Sequence, residues 1–266
     1  VYDRFERRIG YLRVSVTDRC NLRCVYCMPA AGVPLLRHRD ILSFEEIVAV
    51  ARAAVDLGID KVRITGGEPL VRRGIVELTR LLADVSGIRD LAMTTNGTRL
   101  AELASPLAKA GLQRVNVSLD TLDTDRYRDL TRGGSLEDVL AGIDAARAAG
   151  LTPVKLNCVV TTDADEPDAR QVAAFAADNG CAVQFIRRMD IGRGRFWPVI
   201  NGHGGDCPRC DRLRLTSEGM IQPCLFSDLA FSVRELGPET ALRRAVNAKP
   251  ESGSASRRNR FSRVGG

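Results

Sequence analysis

The 266-residue chain has no apolar run approaching 18 residues, so no membrane-spanning helix is expected. Its first residues, VYDRFERRIG, contain no apolar stretch of the kind that leads a protein into secretion, and a cytoplasmic location follows as the default. Eight cysteines are too few and too unevenly spaced for a disulfide scaffold. Aromatic residues make up only 5%, and no long basic run is interleaved with them, which argues against a nucleic-acid groove. With 24 glycines, 11 prolines and no fixed-period repeat, collagenous, solenoid and globally disordered classes drop out. What remains is 44% hydrophobic and long enough to bury a core, as one large domain with or without a small appendage. Lysine and arginine outnumber the acids 39 to 33, and only four of the cations are lysine. That balance fits a small phosphorylated partner.

Short β-rich runs alternate with amphipathic stretches through the first two thirds. Six strands are predicted, at 11–16, 61–65, 88–95, 114–119, 154–160 and 182–188. The sequence SFEE from Ser43 predicts a capping box opening a helix that runs to Gly58, and further helices end near Gly111, Gly150 and Gly180. This is the pattern of an α/β fold. Six units are too few to close an eight-stranded barrel, so the expectation is an open, partial TIM-like barrel with its site on the loops after the strands; a doubly wound sheet is the alternative. After Met189 a glycine-rich link, IGRGRFWPVINGHGGD, predicts a boundary, giving a barrel over 1–190 and a second region over 191–266. The last stretch, ESGSASRRNRFSRVGG, has the composition of a disordered tail.

The cysteines carry the chemistry. Cys20, Cys24 and Cys27 form C-x3-C-x2-C directly after the first strand. Structural zinc wants four ligands, and His38 and His203 stand at no ligand spacing to this loop. A four-iron cluster held by three thiolates leaves one iron open to a ligand. Cys207, Cys210 and Cys224 form C-x2-C-x13-C, again one short of four, and a zinc ribbon missing a ligand is the rival reading. Arg212 and Arg214, two apart, would point to one face of an extended segment and offer planar forks to an anionic or purine-like ligand, which a zinc ribbon leaves unexplained. TGGEP at 65–69 ends the second strand, either as a tight turn or as a backbone held close to something. Cys158 and Cys181, alone in apolar runs, read as buried and inert.

DRCNLRCVYCMP and TGGEP together resemble the radical S-adenosylmethionine (SAM) superfamily. With TTNG at 94–97, NVSLD at 116–120, VKLN at 154–157, CDRLRLT from Cys210 and the terminal Gly265 and Gly266, the chain from about Arg13 onward resembles the GTP 3′,8-cyclases, which open molybdenum cofactor biosynthesis. The resemblance implies two 4Fe-4S clusters, one on each cysteine set, with Tyr26, Gly67, Ser118 and Met189 around SAM. It implies GTP contacts from Arg13, Arg63, Thr94, Lys155, Arg212 and Arg214, and a Gly265–Gly266 tail entering the site. An electron donor and a downstream cyclic pyranopterin monophosphate synthase are the implied partners, and a homodimer is left open. The alternative enzyme is a radical SAM maturase with an auxiliary cluster acting on a peptide or another small molecule. The chain departs from the cyclase pattern between Met189 and Cys207, where several tens of further residues are expected and only 17 stand.

Overall fold

A computed structural model describes residues 1–259, so Gly265 and Gly266 lie outside the described residues. All six predicted strands form: β1 (Tyr11–Ser15), β2 (Lys61–Thr65), β3 (Asp90–Thr95), β4 (Arg114–Ser118), β5 (Lys155–Val160) and β6 (Ala182–Arg187). Three more come from the C-terminal region: β7 (Arg212–Leu215), β8 (Met220–Gln222) and β9 (Phe231–Ser232). Among the described residues the sheet therefore has nine strands, in the order β6-β5-β4-β3-β2-β1-β7-β8-β9. The six predicted strands make the barrel, and the C-terminal region extends the sheet by three that the sequence reading did not place. Runs as short as RLRL and MIQ do not announce their place in a sheet, and β7 is held by a partner about 200 residues earlier, running parallel to β1.

Strands β1 to β6 are parallel and in sequential order. With right-handed crossovers and no reversal of direction across the sheet, the connecting helices lie on one face. They are α1 (Phe44–Asp56), α2 (Ile75–Ala83), α3 (Leu100–Lys109), α4 (Thr124–Thr131), α5 (Leu136–Ala148) and α6 (Pro167–Asp178). A doubly wound sheet requires a switch point with helices on both faces, and this order has none among β1 to β6. The result is the open partial barrel. The capping box at α1 is complete: Glu46 N–H donates to Ser43 Oγ at 3.2 Å, and Ser43 N–H to the Glu46 carboxylate at 2.8 Å. Gly58, at φ +83°, takes the left-handed turn that ends it.

Alternation along each strand separates two environments. The helix-covered face carries Leu12, Val14, Val62, Ile64, Leu91, Met93, Val115, Val117 and Leu156, all buried. The other face is polar, and register aligns it in rows. Arg63, Arg13 and Arg214 are direct neighbours across β2, β1 and β7; Lys155, Asn116 and Thr94 form a row across β5, β4 and β3; Gln184, Asn157 and Ser118 form the next.

Beyond β6 the link is packed. Ile191, Leu225 and Phe226 make a second small apolar cluster with Met189, Phe196 and Cys224 against it, and the Phe196 and Phe226 rings lie 4.5 Å apart. Two short helices, α7 (Val233–Leu236) and α8 (Pro238–Asn247), follow β9. Composition alone suggested disorder from Glu251, yet residues 251–259 pack through specific bonds. Ser256 Oγ donates to Asp228 at 2.6 Å, and Asn259 Nδ2 donates to the carbonyls of Leu225 and Ser227 at 2.7 and 2.9 Å.

Candidate active site

The first cysteine set sits on the loop after β1, at the C-terminal rim of the barrel. Two glycines hold that loop down. A Cβ on Gly66 would stand 2.7 Å from the Thr17 carbonyl oxygen, and one on Gly67 would stand 2.4 Å from that of Arg19. The Gly67 and Glu68 N–H groups donate to those same two carbonyls at 2.8 Å. Neither glycine has positive φ, so TGGEP is glycine-rich because β2's exit must touch the cysteine loop's backbone. Glu68, 1% exposed, then ties β2 to β3. Its carboxylate accepts from Leu70 N–H, Thr95 Oγ1 and Asn96 N–H at 2.9, 2.7 and 2.6 Å. Burial raises its pKa to about 7 despite those three bonds.

The loop's other edge is held by Asp120, just past β4. Tyr26 Oη donates to Asp120 Oδ2 at 2.7 Å, and Val159 N–H to Oδ1 at 2.8 Å. Arg132, the left-handed residue ending α4, donates to the carbonyls of Arg23 and Met28 at 2.9 and 2.8 Å. Sequence reasoning assigned no role to Glu68, Asp120 or Arg132; the carboxylates inside TGGEP and NVSLD were the available signal for the first two.

Cys20, Cys24, Tyr26, Cys27, Gly67, Thr94, Ser118 and Met189 all line one cavity of about 190 Å³. The three thiols are reluctant acids there. Burial, then Cys27, Asp120 and Cys20, pushes Cys24 up to about 12; burial and Cys20 push Cys27 to about 11; Cys20 is raised as well, mainly by burial. Such thiols become thiolates when a cationic metal core compensates the lost solvation. Among the described residues no three candidate ligands converge as they would on a single ion. Soft donors spaced around a cavity wall fit a multi-iron cluster, and this set has the composition for one.

The second set lies at the opposite rim. Because β7 runs parallel to β1, Cys207 and Cys210, which precede it, are at the strands' N-terminal end; β8 runs back antiparallel, so Cys224 returns there too. Cys207, Cys210 and Cys224 line a deeper cavity of about 640 Å³ together with Arg13, Arg63, Lys155, Arg212 and Arg214. Thr94 is the one expected substrate contact that lines the upper cavity and not this one. The two cavities share Asn157, Ile186 and Met189, so the chamber runs from one thiol set to the other.

Its walls are cationic. The acids lining the deep cavity are already engaged: Asp90 with Arg114 at 2.5 Å, Asp206 with Arg209 at 2.5 Å, and Asp211 3.8 Å from Arg212. Arg63 and Arg212 each lie 5.5 Å from the Tyr11 ring, on either side of β1. Burial lowers Arg13 to about 9 and Arg214 to about 10, and the neighbouring arginines add to the effect; Lys155 is lowered by burial and then by Arg114 and Arg63. Clustered cations that depress one another in this way make a region of positive potential. The buried Nε atoms of Arg63 and Arg212 and the Thr94 hydroxyl make no hydrogen bond among the described residues.

The comparisons agree with this geometry. The family model described as the Radical SAM superfamily matches residues 14–176. Among solved structures, a native anSMEcpe with bound AdoMet and Kp18Cys peptide superimposes at TM-score 0.60 with 14% identity, covering 91% of this chain and 81% of that one. Streptococcus suis SuiB bound to its precursor peptide SuiA gives 0.57 with 19% identity, over 70% of this chain and 40% of that one. These similarities establish the barrel alone, and the barrel with its C-x3-C-x2-C loop defines a radical SAM protein. Curated relatives narrow the class. The GTP 3′,8-cyclase of Geobacter sulfurreducens is 44% identical over 301 positions, covering 94% of this chain and 92% of the relative, and that of Moorella thermoacetica is 42% identical with 93% of each covered. The chain belongs to the GTP 3′,8-cyclase family of the radical SAM superfamily. Against the cyclase of Heliobacterium modesticaldum the match takes 325 positions and covers 99% of both chains, so that relative carries residues that this 266-residue chain lacks.

Proposed function

We propose that the chain converts GTP to 3′,8-cyclo-7,8-dihydroguanosine 5′-triphosphate, the first step of molybdenum cofactor biosynthesis. The observation that carries this reading is the row of inward cations, Arg63, Arg13 and Arg214, spanning a chamber with a thiol set at each end. A four-iron cluster on Cys20, Cys24 and Cys27 with bound SAM supplies, on one-electron reduction, a 5′-deoxyadenosyl radical able to take the nucleotide's 3′ hydrogen. Tyr26, Gly67, Ser118 and Met189 enclose SAM in the upper cavity. Arg13, Arg63, Lys155, Arg212 and Arg214 bind the triphosphate and purine below, with Thr94 above them. Cys207, Cys210 and Cys224, which line the same lower cavity, would hold a second four-iron cluster.

The protein's own work is placement and shielding. A radical of this kind removes whichever hydrogen is nearest, so fixing the ribose where the two cavities join is the main source of selectivity. The apolar side chains of Ile186 and Met189 keep that junction poor in water. The cationic wall favours a nucleoside triphosphate over the peptide substrate of a maturase. By the same reading the enzyme works in the cytoplasm, takes electrons from a separate donor and passes its product to cyclic pyranopterin monophosphate synthase. No helix among the described residues is long and apolar enough to cross a membrane.

The test is anaerobic reconstitution with iron and sulfide, followed by SAM, a reductant and GTP. Production of 5′-deoxyadenosine and the cyclised triphosphate, both dependent on GTP, is expected. SAM cleavage without a GTP product would move the chain to another substrate.

A further inference from the structure

We propose that Lys249 is the positioning residue of the second thiol set and that its buried ammonium sets the reduction potential of the cluster held there. The proposal rests on the reading of Cys207, Cys210 and Cys224 as cluster ligands. Lys249, just beyond α8, is 2% exposed and among the largest fully buried side chains of the molecule. Its Nζ donates to the carbonyl of Arg212, two residues after Cys210, at 2.6 Å, and to that of Pro223, the residue before Cys224, at 2.7 Å. Its charge acts on both Cys210 and Cys224.

The third ligand's segment is held by a second buried cation, Arg7, which is tied to the stretch just after Lys249. Arg7 Nη1 donates to the Cys207 carbonyl at 2.8 Å, and its guanidinium also donates to the carbonyls of Pro250 and Glu251 at 2.7 and 2.9 Å. Residues 249–251 therefore form a hub that fixes all three thiol-bearing segments. The two cations differ in one respect. Arg7 is paired with Asp3 at 2.7 Å, whereas Lys249 has no carboxylate partner among the described residues. Burying an ammonium is costly unless negative charge lies beside it. The anions within its reach are the thiolates of Cys210 and Cys224 once they hold metal. A fixed cation there stabilises the cluster's more negative, reduced form, and so raises its potential.

The experiment uses the full chain with Cys20, Cys24 and Cys27 changed to alanine, so that bound iron reports on the second set alone. This parent, its Lys249→Arg form and its Lys249→Met form are reconstituted anaerobically. Iron and sulfide per chain, the thermal midpoint and a dithionite titration followed by electron paramagnetic resonance are then measured. With Lys249→Met, the oxidised-to-reduced ratio at a fixed potential is expected to rise about tenfold or more, equivalent to a fall of about 59 mV for one electron, with Lys249→Arg close to the parent. Loss of the cluster in Lys249→Met at an unchanged thermal midpoint, restored in Lys249→Arg, supports the same role. An unshifted potential in Lys249→Met overturns it, as does cluster loss that arginine fails to restore. A parent that binds no iron overturns the reading of the second thiol set, and the role of Lys249 falls with it.

Discussion

Replacing Gly67 by alanine separates two explanations of TGGEP, a contact to ligand and a contact within the chain. The added Cβ would stand 2.4 Å from the Arg19 carbonyl oxygen, 2.7 Å from its carbon and 3.0 Å from the Asp18 oxygen. All three atoms are backbone, so no rotamer relieves the clash. The cysteine loop must move away from β2 and give up the Gly67 and Glu68 N–H bonds to Thr17 and Arg19. Overpacking with loss of such bonds costs about 3 kcal/mol, which at about 2–4 °C per kcal/mol for a chain of this size lowers Tm by roughly 6–12 °C. Gly10→Ala is the control, since its nearest neighbour would be 3.7 Å away, an ordinary contact. The assay is thermal unfolding of both variants without iron or SAM. If Gly67→Ala unfolds with the parent and the control, the close approach described here carries no energy, and the glycine serves only a ligand.

Glu68→Gln tests the buried carboxylate. Folding raises its pKa from the ordinary 4.5 to about 7, so the folded state binds the proton more tightly and this group's contribution to stability is full below pH 4.5 and lost as the pH rises to 7. The span corresponds to roughly 3 kcal/mol, so Tm of the parent should decline relative to that of Glu68→Gln between pH 5 and 8, and parallel curves would contradict it. Tyr26→Phe removes one of the two hydrogen bonds to the half-buried Asp120 carboxyl and should cost about 0.5–1.5 kcal/mol in chemical denaturation without iron, with full retention of stability counting against the contact. Arg63→Met should weaken GTP binding about tenfold or more by calorimetry, as expected for a lost charge-assisted contact, and unchanged affinity would remove Arg63 from the site.

Much of this was readable because single elements announce themselves locally. The strands predicted at 61–65 and 114–119 match β2 and β4 to within a residue, since glycine or charged turns frame each run. The orientation of Lys155 and of the Arg212–Arg214 pair followed from strand alternation, and both line the deep cavity. What was hidden depends on distant parts of the chain. Nothing in RLRL says that its partner is β1, and with that pairing goes the position of the second thiol set at the far rim. Nothing in the sequence singles out Lys249, because its partners are backbone carbonyls, which have no sequence signature. The described part of the tail was misjudged for a related reason: Ser256 and Asn259 have the composition of a loop and satisfy buried groups.

The pairing of β1 between β2 and β7 also sets an order of events during synthesis. One edge of β1 finds β2 within about fifty residues, while the other waits for β7 and for the bond from Arg7 to Cys207, 200 residues on. At ribosomal speeds of roughly 5–20 residues per second, that edge stays open for about 10–40 s. An unpaired strand edge invites association with other chains, and a charged residue such as Arg13 on it is the kind of feature that discourages this. The late-arriving strand brings Cys207 and Cys210 beside it, and Cys224 follows after β8, so the second thiol set assembles only once the open edge of β1 is covered. The thiols at that end are thereby brought together only in chains whose barrel has already formed.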